Sequence, residues 1–219
     1  MKELFEAIES KTALYFLHVS NMDVDKLVAW ANELGPGIVQ TGGKDYAIVQ
    51  HKDDPSDHSN RTEYFDWHSD GLYHAKPPRF VLLHCLNPGS GEAQTDVASS
   101  MQVLKQMSSR TLRTLAKLRS HYIGHGGCYS HPIRHSAWKM LLASRGYVSP
   151  LEEIPLEDQP SIREISDAIR ELYLLLDENA IPQEWKAGNT LIFDQYKYMH
   201  RRNSSGIDKE RKLIRMWLN

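Results

Sequence analysis

The stretch Tyr64-Phe65-Asp66-Trp67-His68-Ser69-Asp70-Gly71 constrains this chain most, because it sets an imidazole and a carboxylate two residues apart among aromatic neighbours. In extended backbone, side chains at i and i+2 leave the same face, so one metal ion can take both His68 and Asp70. Neutral imidazole and one carboxylate are two of the three ligands of the 2-His-1-carboxylate set, which holds non-haem Fe(II) and leaves coordination positions open. Such a site needs a third ligand from elsewhere in the chain and a shaped, partly dry cavity.

His200, just beyond the apolar run Thr190-Leu191-Ile192-Phe193, is the candidate third ligand. The chain has a second His-x-Asp, His51-Lys52-Asp53, but it leads into the polar run 52–61 and has no aromatic neighbours. A rival histidine cluster spans His121, His125, Cys128, His131 and His135, residue types that suit zinc. Gly124, Gly126 and Gly127 break the helix on which an i, i+4 histidine pair shares a face, and Cys128 has no cysteine nearby. These histidines read as polar positions of exposed or pocket-lining strands, with a zinc protein as the competing reading.

With 219 residues the chain is read as one domain over 1–219. Hydrophobic residues at 41% and charged residues at 25% are ordinary for a soluble globular protein. A formal net charge of −2 exerts no pull towards nucleic acid or anionic membrane. No apolar run approaches the ~20 residues of a membrane span. The first residues carry Glu3 and Glu6 and lack a signal-peptide core, and two cysteines make no disulfide framework, so the expected setting is the reducing cytoplasm. No phosphate-binding loop, dinucleotide fingerprint or serine nucleophile elbow is present. The expected partner is a small-molecule substrate; the residues say nothing of oligomeric state.

Pattern predicts a helix at 2–9 and a strand over Thr12–Val19. A second helix follows, capped by Ser20 or Asn21, with Val24, Leu27, Val28, Ala31 and Leu34 on its buried face and Gly35 at its end. Short strands are expected near 37–40 and 46–51, and a buried strand over Arg79–Leu86. After a turn at Asn87–Gly91, Glu92–Val97 reads as the return strand of a hairpin. One or two helices fill 99–119, and Ser161-x-x-Glu164 opens another as a capping box. Strands at Thr190–Phe193 and Lys212–Leu218 close the chain. Many short strands with a few helices indicate an antiparallel β core decorated by helices.

Taken together, these blocks resemble the taurine dioxygenase-like family of Fe(II)/2-oxoglutarate-dependent oxygenases. Trp67-His68-Ser69-Asp70-Gly71 is similar to the family's Trp-His-x-Asp block, with Pro77-Pro78 following at the family's distance. Thr95 stands 27 positions after His68, where the family places a threonine. Phe193-Asp194, His200, Arg211 and Arg215 match the C-terminal block, with arginines 11 and 15 positions after the histidine. Glu92-Ala93-Gln94 departs from the family's glycine pair, and 121–160 matches no family block.

The resemblance implies a mostly β fold, a double-stranded β-helix (jelly roll) with flanking helices. It implies Fe(II) on His68, Asp70 and His200, with 2-oxoglutarate as co-substrate and O2 as oxidant. Arg215, helped by Thr95, would hold the distal carboxylate of 2-oxoglutarate, and Arg211 would lie near its C1 carboxylate or an anionic substrate group. Trp67, Tyr73, His74 and Arg211 are candidates for the substrate pocket. The implied reaction oxidises a C–H bond of a small, polar organic substrate while 2-oxoglutarate becomes succinate and CO2. Halogenating relatives lack the carboxylate ligand, so Asp70 favours hydroxylation or desaturation. The alternative is a non-catalytic jelly-roll protein that binds metal or a small ligand.

Overall fold

The computed structural model describes residues 14–19, 22–40, 43–52, 64–91, 93–124, 126–136, 139–143, 147–203 and 209–219, with backbone alone at 135–136. The helix expected at 2–9, Asp53 with most of the polar run after it, Glu92 and His125 lie outside these residues. In chain order the elements are β1 (Leu14–His18), α1 (Val24–Leu34), β2 (Tyr46–Gln50), β3 (Phe65–His68), β4 (Phe80–Asn87), β5 (Gln94–Ser99), α2 (Ser100–Gln106) and α3 (Ser109–Leu115). Then come β6 (Leu118–Gly124), β7 (Gly127–Pro132), β8 (Arg134–Ser136), β9 (Lys139–Met140), β10 (Tyr147–Pro150), α4 (Ile162–Glu178), β11 (Ile181–Gln183), β12 (Asn189–Asp194), β13 (Tyr198–Asn203) and β14 (Lys212–Leu218).

Two antiparallel sheets carry the site. One has five strands in the order β1-β12-β4-β14-β2, and the other has four in the order β11-β5-β13-β3. From β3 to β5, and again from β11 to β14, successive strands alternate between the sheets. That alternation is the jelly-roll winding. It also corrects the hairpin expected between β4 and β5: the turn with Gly89 and Gly91 at positive φ is there, but the chain crosses to the opposite sheet. A turn signal in the sequence does not say which partner the next strand takes.

The two-residue alternation of strands sorts side chains into three layers. Val81, Leu83, Cys85, Leu191, Phe193, Leu213 and Trp217 face inward and meet Val97 of the second sheet. Phe80, Leu82, Ile192, Ile214, Met216 and Leu218 face outward and pack on Leu27, Ala31 and Leu34 of α1. On the far side, Trp67, Ala98 and Met199 pack against residues of α2, α3 and α4 and of the 118–142 region. Both faces of β4 are therefore covered, which is why it reads as an unbroken apolar run.

Local signals account for most helix ends. The capping box at Ser161 and Glu164 forms as expected, ahead of α4. The cap of α1 is Asp23, whose carboxylate accepts from Lys26 N–H at 2.8 Å, rather than Ser20 or Asn21. Only an isolated bridge, Gly37 to Leu218, stands where a strand was expected at 37–40. Strands β6, β7 and β10 form a separate three-stranded sheet, with Gly126 at φ +77° turning β6 into β7. Glycines that argue against a helix at 121–127 thus serve a hairpin. Among the described residues no helix is long and apolar enough to cross a membrane.

Candidate active site

Strands β3 and β13 are neighbours, and His68 lies directly opposite His200. The pairing then slips, so that Arg202 faces Phe65. Asp66 and Trp67 together oppose Arg201, which is a β-bulge. The bulge turns the Asp66 carbonyl towards His68, whose Nδ1 lies 2.6 Å from it. A carbonyl only accepts, so Nδ1 carries the proton and the Nε2 lone pair is left for the cleft. Asp70 sits at the start of the next turn. Its neighbour Gly71 has φ +65°, and a Cβ there would stand 2.7 Å from Pro78 Cδ. Only glycine fits beside Pro78 there.

Asp70 Oδ1 lies 3.4 Å from His68 Nε2 and 3.9 Å from His200 Nε2. Donor atoms of the three residues are all within 4.8 Å of one another, and all three residues are buried. Metal–nitrogen bonds of about 2.1 Å place neighbouring ligands roughly 3 Å apart, so small adjustments suffice for one ion. Burial alone would raise the Asp70 pKa, but Arg215 and the two histidines outweigh it and hold the carboxyl well below the usual range. Burial and the neighbouring His68 push the His200 imidazole down to about 3, despite the opposing pull of Asp70. Asp70 is thus a carboxylate and His200 a neutral imidazole, and with the His68 imidazole they make the donor set that suits Fe(II).

Asp70 is held from two directions that sequence reasoning did not supply. Trp217 Nε1–H donates to Asp70 Oδ2 at 2.9 Å. Gln195, fully buried at the end of β12, accepts from Asp70 N–H at 2.7 Å and donates to the Asp70 carbonyl at 3.1 Å. It also donates to the Pro78 carbonyl, and its own N–H meets the Arg79 carbonyl at 2.9 Å. One glutamine thus ties the Asp70 turn at both ends to the segment leading to His200. A buried polar side chain within the matching C-terminal block is the only sequence signal that points to Gln195.

A cleft between the sheets runs from these ligands and Arg215 past Val49, Leu83 and Leu213 to Thr95, Arg202 and Arg211. Alternation sets its two ends. On β13, His200 pairs with Val97 and Arg202 with Thr95, so Thr95 lies two residues beyond the histidine level, about 7 Å. From β14 and the residue before it, Arg211, Leu213, Arg215 and Trp217 share one face. Arg215 Nη1 stands 3.7 Å from Asp70 Oδ2, and its Nε donates to Gln40 at 3.1 Å. Arg211 Nη2 lies 3.4 Å from the Thr95 hydroxyl, which also accepts from Trp185 at 3.1 Å. The expected pairing of Thr95 with Arg215 is therefore corrected. Arg215 belongs to the metal end and Arg211 to the far end, because two residues on either side of Leu213 point to opposite ends of the cleft.

Trp67 is also placed differently from expectation. As the strand neighbour of His68 it faces outward, where it is fully buried, donates to Asp177 at 2.9 Å and lies under Arg201 at 4.5 Å. It supports the sheet from behind and does not line the cleft. Tyr73 and His74 pack on Trp217, with ring centres 5.9 and 5.7 Å away, one ring removed from Asp70. Behind Tyr73 stand Tyr122 and Tyr129 of the β6–β7 hairpin. The rival histidines are occupied otherwise: His121 bonds Ser149 at 2.8 Å and stacks on Tyr147, and His131 bonds the Leu72 carbonyl at 2.9 Å. Among the described residues, the only group able to hold a metal is His68, Asp70 and His200.

Fold and site together define a non-haem iron, 2-oxoglutarate-dependent oxygenase. Residues 1–217 match the Taurine catabolism dioxygenase TauD, TfdA family, and the chain belongs to that family. It is 24% identical over 225 residues to a 3-((Z)-2-isocyanoethenyl)-1H-indole synthase of Fischerella ambigua (strain UTEX 1903), covering 90% of this chain and 78% of that protein. Among solved structures it resembles PvcB, an Fe, alpha-ketoglutarate dependent oxygenase from an isonitrile synthetic pathway. The TM-score is 0.77 at 16% identity, over 100% of this chain and 80% of that one. It also resembles asparagine oxygenase in complex with Fe(II), hydroxyasparagine and succinate, with a TM-score of 0.76 at 17% identity over 99% and 77% of the two chains. A taurine dioxygenase from Burkholderia xenovorans superposes with a TM-score of 0.72 at 14% identity, over 99% and 80%.

Proposed function

We propose that this chain, acting as a single domain over 1–219, hydroxylates a small polar organic substrate with release of succinate and CO2. His68, Asp70 and His200 would hold Fe(II), which when bound supplies adjacent open positions for a keto acid and for O2. The remaining residues orient the co-substrate. Arg211, with the Thr95 hydroxyl beside it, would take the distal carboxylate of 2-oxoglutarate, since a guanidinium fork matches a carboxylate. The observation that carries this reading is the spacing of the cleft: an Asp/His/His trio at one level and an Arg–Thr pair about 7 Å further along the strands. A five-carbon diacid spans such a distance.

Arg215, beside Asp70, stands where the C1 carboxylate of the co-substrate or an acidic group of the substrate would lie. Asparagine and arginine derivatives bound to structurally similar oxygenases favour an amino-acid-like substrate. The Tyr73, Tyr122 and Tyr129 rings give the neighbouring wall an aromatic surface. Purified protein with Fe(II), 2-oxoglutarate and O2 should form succinate, faster when the right small acid is added. Succinate formation that is unchanged in His68→Ala would overturn the proposal.

A further inference from the structure

We infer that Trp217 keeps Asp70 a single-oxygen ligand, and so preserves the coordination position that the co-substrate needs. The inference rests on the metal reading above and concerns how the carboxylate meets the ion. The two oxygens of Asp70 have different surroundings. Oδ1 faces both imidazole Nε2 atoms, at 3.4 and 3.9 Å. Oδ2 points away, 2.9 Å from the indole nitrogen of Trp217 and 3.7 Å from Arg215 Nη1.

A carboxylate has about four lone-pair sites and readily chelates a metal through both oxygens. Chelation here would use a fourth position on the ion. Two histidines and a two-oxygen carboxylate would then leave two positions of an octahedron, whereas a chelating keto acid and O2 need three. The Trp217 N–H opposes this because it has one proton and no acceptor capacity, and that proton is given to Oδ2. Rotating Asp70 to chelate would leave a buried N–H unsatisfied, which costs free energy in a dry site.

The indole is itself fixed. Trp217 is buried on β14 against the packed rings of Tyr73 and His74, and the Arg215 guanidinium lies 4.5 Å over it. The donor is thus held by the sheet, whereas its acceptor sits in a turn. Trp217 contacts the ligand and not the reacting atoms, so it is a positioning residue. Nothing in the sequence distinguishes it from an ordinary core tryptophan.

Redox-silent Co(II) tests this without turnover. Wild type, Trp217→Phe and a form carrying benzothienylalanine at 217 (the same two-ring shape without the N–H) are titrated first with Co(II), then with 2-oxoglutarate. Without the N–H, Co(II) should bind at least as tightly as in wild type. Affinity of the Co(II)-loaded protein for 2-oxoglutarate should fall about 10-fold or more, and the Co(II) ligand-field spectrum should change before 2-oxoglutarate is added. An unchanged spectrum with unchanged 2-oxoglutarate affinity in the benzothienylalanine form overturns the inference. So does a loss of Co(II) affinity alone, which would make Trp217 a mere anchor. If wild type takes up Co(II) and His200→Ala takes it up equally, the metal reading itself fails, whatever the position-217 variants do.

Discussion

Two regions of this molecule are rich in metal-binding residue types, and among the described residues only one builds a centre. The sequence between His121 and His135 offers four histidines and a cysteine within fifteen positions. His68, Asp70 and His200 span more than 130. Yet of the described members of the first group, His121 and Cys128 lie beside each other against Ser149 and Tyr147 of the peripheral sheet, while His131 turns to the Leu72 carbonyl, so three donors do not converge. The second group converges because strand pairing puts His68 opposite His200 inside two facing sheets. Proximity in sequence supplies donors; burial on facing strands supplies a common point for them, and second partners that set their protonation.

Deleting a converging donor should have the largest effect. Asp70→Ala should weaken Mn(II) or Co(II) binding by more than the roughly 100-fold expected for outer partners, while His121→Ala leaves it unchanged, as read by calorimetric titration. Equal losses in the two variants would erase the contrast between the regions. Within the cleft, Arg211→Ala should raise the 2-oxoglutarate requirement by about 2 kcal/mol or more, which is about 30-fold, without loss of metal. Steady-state kinetics checks this. If Arg215→Ala gives that increase and Arg211→Ala does not, the two ends of the cleft have been assigned the wrong way round. A smaller effect is expected for Gln195→Met, about 10-fold in metal affinity, because it frees the Asp70 turn without removing a ligand. Tyr196→Phe, which removes the hydroxyl that donates to the Pro77 carbonyl and touches no ligand, should bind metal as wild type does.

Much of this was legible in the residues. His68, Asp70, His200, Thr95 and the two arginines all meet in one cleft, and the strands at 80–87, 189–194 and 212–218 stand close to their expected bounds. What failed has physical causes. Trp67 sits beside a ligand in sequence, and strand alternation alone sends the neighbour of His68 to the opposite face, so its place among the pocket candidates runs against the two-residue period. The partner of Thr95 was misassigned because position after His200 says nothing about which way along the cleft an arginine reaches. The crossing of β4 into β5 looked like a hairpin because turn chemistry is local and sheet membership is not. Trp217 and Gln195 act through single hydrogen bonds to Asp70, a kind of contact that periodicity and spacing do not encode.

The most direct measurement is spectroscopic. Under anaerobic conditions, Fe(II) and then 2-oxoglutarate are added to the wild-type protein, His200→Ala and His121→Ala. A visible charge-transfer band from the chelated keto acid should grow with one iron per chain in wild type and in His121→Ala, and be absent in His200→Ala. A band that survives loss of His200, or one that disappears with His121, would contradict a centre built by facing strands and place the metal on the hairpin.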